Sequence, residues 1–158
     1  MPGTEISTPT GPVAIETLKS GQVVYSYNEK TEEIVLGTVE RVYVRKVTRY
    51  LELTLSSGRV LKVTGDHPIA TRNQDGELSY IIAENLELSD QLVTLESDTT
   101  LDQSTLLSIE TREEEVTVYN FKVHGYRNGF AEGILSHFYF QPGDPLHPDR
   151  KTSRETIR

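Results

Sequence analysis

The sequence predicts an all-β fold, and three observations carry this prediction. Five segments alternate apolar and polar residues with a period of two, and they are rich in β-branched and aromatic side chains. Turn-forming residues bound each of these segments, and only two short stretches favour a helical turn. Many short strands with regular turns and little helix are typical of a domain built from curled hairpins.

The predicted elements follow one another closely along the chain. The Ser57-Gly58 pair separates two alternating runs, which predicts a tight hairpin. Helical turns are expected at residues 13–18, before Gly21, and at residues 83–86. The polar segment at residues 98–103 is interpreted as a loop. Strands are predicted at residues 22–27, 34–47, 51–55, 60–64 and 116–123.

The length of 158 residues suits one domain with a sizeable core. The composition changes abruptly near residue 140, after which prolines and charges dominate and little can be buried. We therefore expect a domain at residues 1–140 and a linker or disordered tail at 141–158, with the polypeptide continuing beyond it.

The charge balance and composition exclude several classes of function. A net charge of −8 argues against a nucleic-acid or anionic-membrane surface. One basic cluster lies within a predicted strand and is interpreted as a solvated face. No apolar run approaches the roughly 18 residues of a membrane span, and no signal segment opens the chain. The absence of Cys removes disulfides, thiolate metal sites and Cys nucleophiles from these residues. The basic cluster is Arg41, Arg45, Lys46 and Arg49.

Four segments, in order, resemble the blocks of the Hint (Hedgehog/intein) family. Residues 3–34 resemble its Gly-Thr opening, residues 56–71 its Thr-x-x-His-Pro block, and residues 78–93 and 116–138 its later blocks. The resemblance implies a horseshoe-like, pseudo-twofold β fold in which the two ends meet. The short intervals between the blocks leave no room for a homing endonuclease. The expected partners are the chain's own flanking segments, in a monomer.

The resemblance also implies a chemistry. In the family, a Cys or Ser side chain attacks the preceding peptide bond, which must be distorted and protonated on its departing nitrogen. The Thr-x-x-His histidine, here His67, has that task, and Thr64 would position it. Asp66 could raise the pKa of the imidazole, although a turn-forming role is favoured for it. A histidine satisfied within a hairpin is the alternative, which the Thr-Gly-Asp-His-Pro context disfavours.

The expected nucleophile is not found near the start of the sequence. Family members commonly carry a Cys a few residues before the Gly-Thr pair, where Met1 and Pro2 stand here. The hydroxyls of Thr4, Ser7 and Thr8 lie past that attack position. They are interpreted as strand and turn residues.

The downstream blocks also depart from the family pattern. Release requires a terminal Asn, aided by the preceding His; here His137 is present but Phe138 replaces the Asn. Tyr139 stands where a Cys, Ser or Thr would accept the upstream segment. Arg127 replaces a family His and cannot shuttle a proton at neutral pH. Asn120 occupies an Asp/Asn position of the same block and completes the candidate site.

Three functions are weighed on this basis. The first is an autoprocessing domain that cleaves at its own N-terminal junction without splicing. The second is a non-catalytic Hint domain that serves as a spacer or interaction module in a secreted or toxin-like polypeptide. The third, a zinc- or ligand-binding β module, rests on four scattered histidines and is disfavoured, because a full zinc site needs about four ligands. No cofactor is expected.

Overall fold

The computed structural model describes residues 1–138 as thirteen strands and two short 3₁₀ turns. The predicted tail at residues 141–158 and the last two residues of the predicted domain lie outside the described residues. The strands are β1 (Glu5–Ile6), β2 (Val13–Ala14), β3 (Val23–Asn28), β4 (Glu33–Val47), β5 (Tyr50–Leu55), β6 (Val60–Val63), β7 (Pro68–Arg72), β8 (Leu78–Ile82), β9 (Gln91–Leu95), β10 (Leu101–Arg112), β11 (Val116–Val123), β12 (Asn128–Ala131) and β13 (Ile134–His137); the turns are Ile15–Thr17 and Ala83–Asn85.

The strands form two antiparallel sheets, which confirms the predicted fold class. The larger sheet has the order β2-β1-β12-β13-β7-β9-β10-β5-β6, with β8 paired to β7, and the smaller has the order β11-β4-β3. The long strand β4 pairs with β3 through its first part and with β11 through its second. A side chain at Gly37 would collide with Val123, so β4 needs a glycine at the point where its pairing changes from β3 to β11.

All five predicted strands and both predicted helical turns are present. The predicted hairpin joins β5 to β6, with the Leu55 N–H donating to the Arg59 carbonyl at 2.9 Å. Gly58 has φ of +92°, a left-handed conformation that glycine adopts without strain. Local alternation and turn chemistry were therefore reliable guides here.

The loop predicted at residues 98–103 is wrong in its second half. Strand β10 begins at Leu101, and Leu101, Asp102 and Gln103 pair with β9. The polar side chains stay exposed while the backbone joins the ladder, because main-chain hydrogen bonds do not depend on apolar side chains. A polar segment without apolar–polar alternation therefore gives no sequence signal for such a strand.

The pseudo-twofold character is visible as a repeated unit. In each half a strand is followed by a 3₁₀ turn, a strand of five or six residues and a long strand. The long strand pairs with one neighbour through its first part and with another through its second. The turns close in the same way, with Leu18 N–H donating to the Ile15 carbonyl and Leu86 N–H to the Ala83 carbonyl, both at 3.2 Å. Strands β3 and β4 of one half thus correspond to β9 and β10 of the other.

The two ends of the domain are joined in the larger sheet. Strand β1 pairs with β12 through Ile6 and Ala131. The Glu132 N–H donates to the Glu5 carbonyl at 2.7 Å, and the Ser7 N–H donates to the Phe130 carbonyl at 3.0 Å. Since β12 turns directly into β13, this pairing places the first residues of the chain beside the last ones described.

The basic cluster is exposed, with three of its side chains on β4 and Arg49 in the turn that follows. Arg45 pairs with Asp66 at 3.4 Å, and Arg49 pairs with Glu113 at 3.8 Å. Such exposed pairs contribute little to stability. Within residues 1–138, no helix has the length and apolar character needed to cross a membrane.

Asn128 links the two sheets from a buried position, with 2% of its surface exposed. Its side-chain amide accepts the Tyr27 N–H at 2.7 Å and donates to the Tyr27 carbonyl at 2.8 Å. Its own carbonyl accepts the Ser26 hydroxyl at 2.9 Å. The carboxamide therefore acts as a substitute backbone unit between β12 and β3.

Replacing Asn128 by Ala is expected to lower the free energy of unfolding by about 2–5 kcal/mol, because two buried main-chain groups of Tyr27 lose their partners. Urea denaturation followed by circular dichroism measures this loss. Gln103→Ala removes an exposed carboxamide and should change stability by no more than about 0.5 kcal/mol. A loss below about 1 kcal/mol for Asn128→Ala would show that Tyr27 finds other partners.

Candidate functional site

A cleft of about 480 Å³ opens where the two ends of the domain meet. The start of the chain contributes Met1 and Thr4 to its walls, and the end contributes Ser136 and Phe138. The remaining walls come from β4, β6, β11, the turn that follows β6, and single residues of the first 3₁₀ turn and of β12. Of the six predicted site residues, four line this cleft: Thr64, Asp66, His67 and Asn120.

The turn after β6 is built by Thr64 and Asp66. The Thr64 hydroxyl donates to the Asp66 carboxylate at 2.7 Å, and the Thr64 carbonyl accepts the His67 N–H at 3.1 Å. Asp66 in turn pairs with Arg45 on the opposite wall. Thr64 thus orients His67 through the backbone of the turn, and its hydroxyl is directed to Asp66.

His67 is buried in the floor of the cleft. Its ring packs edge-on against Phe138, with centroids 5.0 Å apart. Burial lowers the pKa of His67 to about 4, and the charge of Asp66 opposes this shift without overcoming it. The positive charges of the Met1 amino group and of Arg45 lower the same pKa further. His67 is therefore neutral at pH 7, and the amino end of the chain lies within electrostatic range of it.

His137 lies one layer deeper, in β13, with 1% of its surface exposed. Its ring packs edge-on against Tyr80 at 5.7 Å between centroids. Burial lowers the pKa of His137 to about 3, and the charges of His67 and Arg127 act in the same direction. The two histidines are thus neighbours, although only His67 reaches the cleft.

The other predicted site residues occupy different surroundings. The exposed Arg127 accepts the Phe138 N–H on its carbonyl at 2.7 Å and acts on His137 through its charge. Asn120 accepts the N–H of Phe121 on its side chain at 2.8 Å. Phe138 stacks on Phe121 with centroids 4.3 Å apart, so its ring lies between Phe121 and His67.

Sequence reasoning did not single out three residues that shape this site. Met1 is buried and brings the amino group to His67, while Tyr80 supports the ring of His137. Asn128 can donate to the Tyr80 hydroxyl at 3.4 Å and holds that region to β3. Only Asn128 carried a signal, since a conformationally flexible Asn-Gly pair within a strand block is unusual. In residues 1–138, no group of three His, Cys, Asp or Glu side chains could hold a metal ion.

Comparison with known proteins agrees with this architecture. The model of the family described as "Pretoxin HINT domain" matches residues 5–137. The solution structure of a bacterial intein-like domain from Clostridium thermocellum is 34% identical, with 86% of this chain and 95% of that chain covered and a TM-score of 0.74. The crystal structure of a DnaB intein from Synechocystis sp. shares the fold at 24% identity, with 87% and 95% coverage and a TM-score of 0.74.

A shorter match also exists among curated proteins. A stretch of 56 residues is 38% identical to the replication factor C small subunit of Methanocaldococcus jannaschii. The match covers 35% of this chain and 3% of that protein. The matched stretch is therefore only a fragment of this domain.

The fold and the joined ends define a Hint domain of the autoprocessing type. Within that class, this chain belongs to the pretoxin Hint domain family.

The lowered pKa of His67 predicts a loss of stability in mild acid. In the unfolded chain the imidazole takes up a proton near pH 6.5, whereas the buried ring does so only near pH 4. The stability contributed by the neutral ring is therefore complete above about pH 6.5 and is lost as the pH falls towards 4. At about 1.4 kcal/mol per pKa unit, the loss due to His67 is roughly 3 kcal/mol.

Urea denaturation at a series of pH values between 7 and 4 tests this prediction. His67→Gln should make the decline shallower, because glutamine does not titrate, while the decline caused by the buried His137 remains. His124→Gln replaces an exposed histidine whose ion pair with Glu40 lies at the surface, where such pairs contribute little, so the decline should change little. Equal slopes for the two variants would contradict the assignment of the effect to His67.

Proposed function

We propose that this domain cleaves the polypeptide at its own N-terminal junction by shifting an acyl group onto a Cys or Ser side chain, and that splicing is lost. The observation that carries the proposal is the position of His67, which is buried and neutral, lines the same cleft as Met1 and lies within electrostatic range of the Met1 amino group. A peptide joined to Met1 would replace that amino group by an amide. The bond to be cleaved would then lie close to His67.

The chemistry follows from the pKa of His67. A thiol or hydroxyl attacks the preceding carbonyl carbon and gives its proton to the neutral imidazole. The C–S or C–O bond forms as the C–N bond breaks, and the imidazolium returns the proton to the departing nitrogen. With a pKa of about 4, the imidazole is a weaker base than usual for the first transfer and its imidazolium is a stronger acid for the second, so the site favours protonation of the departing nitrogen. Water then hydrolyses the ester or thioester, which releases the upstream carboxylate and restores the side chain.

The downstream end supports the loss of splicing. Phe138 has no side-chain nucleophile that could attack its own carbonyl. Its ring is fixed between Phe121 and His67. The ring also keeps water away from one side of His67. At the N-terminal junction His67 and Thr64 remain, so cleavage there needs only a Cys or Ser nucleophile at the junction.

The family description supports a biological setting. A pretoxin domain suggests that cleavage separates parts of a larger, toxin-like polypeptide. The non-catalytic module is the competing function. It shares the fold and differs only in whether His67 acts on a peptide bond.

The functional prediction restores the nucleophile. A carrier domain is joined upstream through a single Cys, placed at Met1 or at either of the two positions before it. At least one of these three proteins should release the carrier, faster with hydroxylamine or added thiol, which intercept a thioester and leave an amide untouched. His67→Ala should slow release by about 10²–10⁴-fold, the usual contribution of general acid–base catalysis.

Gel electrophoresis and intact-mass spectrometry measure release. His124→Ala is the matched control and should release the carrier at the parent rate. Circular dichroism of each protein separates lost chemistry from lost fold, because His67 precedes Pro68 in the turn. If all three proteins fold and remain intact for days with thiol present, the domain is the non-catalytic module.

The downstream end gives a separate prediction. Phe138→Asn supplies a side-chain amide that can attack its own carbonyl, and His137 lies beside it in sequence. Slow cleavage before Tyr139 should follow, with a product of residues 1–138 detected by mass spectrometry. Phe138→Gln also introduces a carboxamide and opens a similar cavity, but its longer side chain would close a six-membered ring, so little cleavage is expected. The unchanged protein should keep its full mass, and cleavage at 138 in it would refute the assigned role of Phe138.

A further inference from the structure

The cleft is bounded by an open strand edge. Strand β6 is the last strand of the larger sheet, with β5 on one side, and among the described residues no strand pairs with its other side. Four consecutive residues, from Leu61 to Thr64, line the cleft. Because side chains alternate between the two faces of a strand, a cleft that touches four residues in a row lies along the strand's edge.

The hydrogen-bond register shows which groups point into this space. The Leu55 N–H donates to the Arg59 carbonyl, so these two residues form a hydrogen-bonded pair. Pairs in an antiparallel ladder alternate, which makes Leu53 with Leu61 the next hydrogen-bonded pair. Lys62 lies one residue beyond Leu61, opposite Glu52, and therefore belongs to a pair that is not hydrogen-bonded. Its backbone N–H and carbonyl therefore point away from β5, towards the cleft.

The start of the chain leads into the same space. Met1 lines the cleft, and its amino group lies within electrostatic range of His67, at the end of the turn that continues β6. A polypeptide joined to Met1 must leave from this point. An open strand edge attracts an extended chain, because its main-chain groups lack partners.

We propose that the segment joined to Met1 lies in the cleft as an added β-strand on the outer edge of β6. This inference rests on the proposed function, since it describes how the substrate of that reaction is held. Main-chain hydrogen bonds to Lys62 fix the upstream segment and align the bond to be cleaved with His67. Recognition by strand addition depends on the backbone, so the domain accepts many upstream sequences and discriminates against proline.

Two variants at one position isolate the proposed contact. Lys62→Pro removes the outward N–H, and an edge strand tolerates proline where the N–H does not serve the ladder. Lys62→Ala removes the charge and keeps the N–H, so it is the matched control. Both are made in the Cys-restored protein that carries an upstream domain. For the exchange measurement Lys62 is kept, and the Cys-free protein carries either eight upstream residues of alternating Thr and Val or a segment that contains two prolines.

Hydrogen exchange of the Lys62 amide gives a readout that does not require cleavage. The alternating segment should slow exchange about tenfold, of the order expected for one added hydrogen bond, relative to the chain that begins at Met1. The proline-containing segment should give no such protection. Equal exchange in all three proteins would overturn the proposal. Protection that rises with protein concentration would also overturn it, because the edge would then be covered by a second copy of the chain. The same holds for protection in the chain beginning at Met1 that is lost on removing residues 139–158, because the tail would then cover the edge.

Release from the Cys-restored protein gives the second readout. Lys62→Pro should release the carrier about 3- to 10-fold more slowly than Lys62→Ala, which lacks the same side chain but keeps the N–H and its hydrogen bond. Exchange of buried β9 amides and circular dichroism confirm that both variants fold. Protection of Lys62 without release in any protein would refute the cleavage function and leave strand addition standing. Release at equal rates in both variants, without protection, would refute strand addition alone.

Discussion

The pairing of β1 with β12 is the contact on which the site depends. It joins the first residues of the chain to a hairpin more than a hundred residues later, and it places Met1 over the turn that carries His67. Few hydrogen bonds hold it, since β1 is only two residues long. Its strength comes from Ile6, which is fully buried in the main core. Burial of one apolar side chain is commonly worth about 1.5–3 kcal/mol, enough to keep such a short strand in place.

Desolvation controls the chemistry of the site more than charge pairing does. Asp66 lies next to His67 in sequence and would raise its pKa, yet burial of the ring produces a net decrease. Asp66 is half-exposed and already paired with Arg45, so its charge is screened by solvent and shared with another partner. Both histidines are therefore neutral, and a neutral imidazole can accept a proton and return it within one reaction.

Phe138 links the stability of the domain to its reactivity. Its ring extends an aromatic stack from Phe121 in the core to His67 at the cleft. Offset and edge-on aromatic contacts contribute about 0.5–1.5 kcal/mol each beyond area burial. The residue that removes the downstream nucleophile thus also orients the upstream histidine. This double role supports the proposal that N-terminal cleavage is retained and splicing is lost.

The sequence by itself determined the local features of this protein. Period-two alternation located five strands, and Ser57-Gly58 located the hairpin. The sequence also has Phe138 where the family resemblance predicts an Asn. It also identified His67 and His137 as candidate site residues, through the resemblance to the Hint family at both ends of the domain. It failed at Leu101, where a polar strand has no alternation to detect, and it did not identify Met1, Tyr80 or Asn128 as parts of the site.

The tertiary structure alone decided the protonation state of the two histidines, the path of the Asn128 side chain to Tyr27 and the open edge of β6. Each of these results from contacts between residues far apart in the chain, such as His67 with Phe138 or Tyr27 with Asn128. Local patterns carry no information about which distant surfaces exclude water from a given ring. Burial, and with it the pKa of His67, is therefore a property of the closed fold.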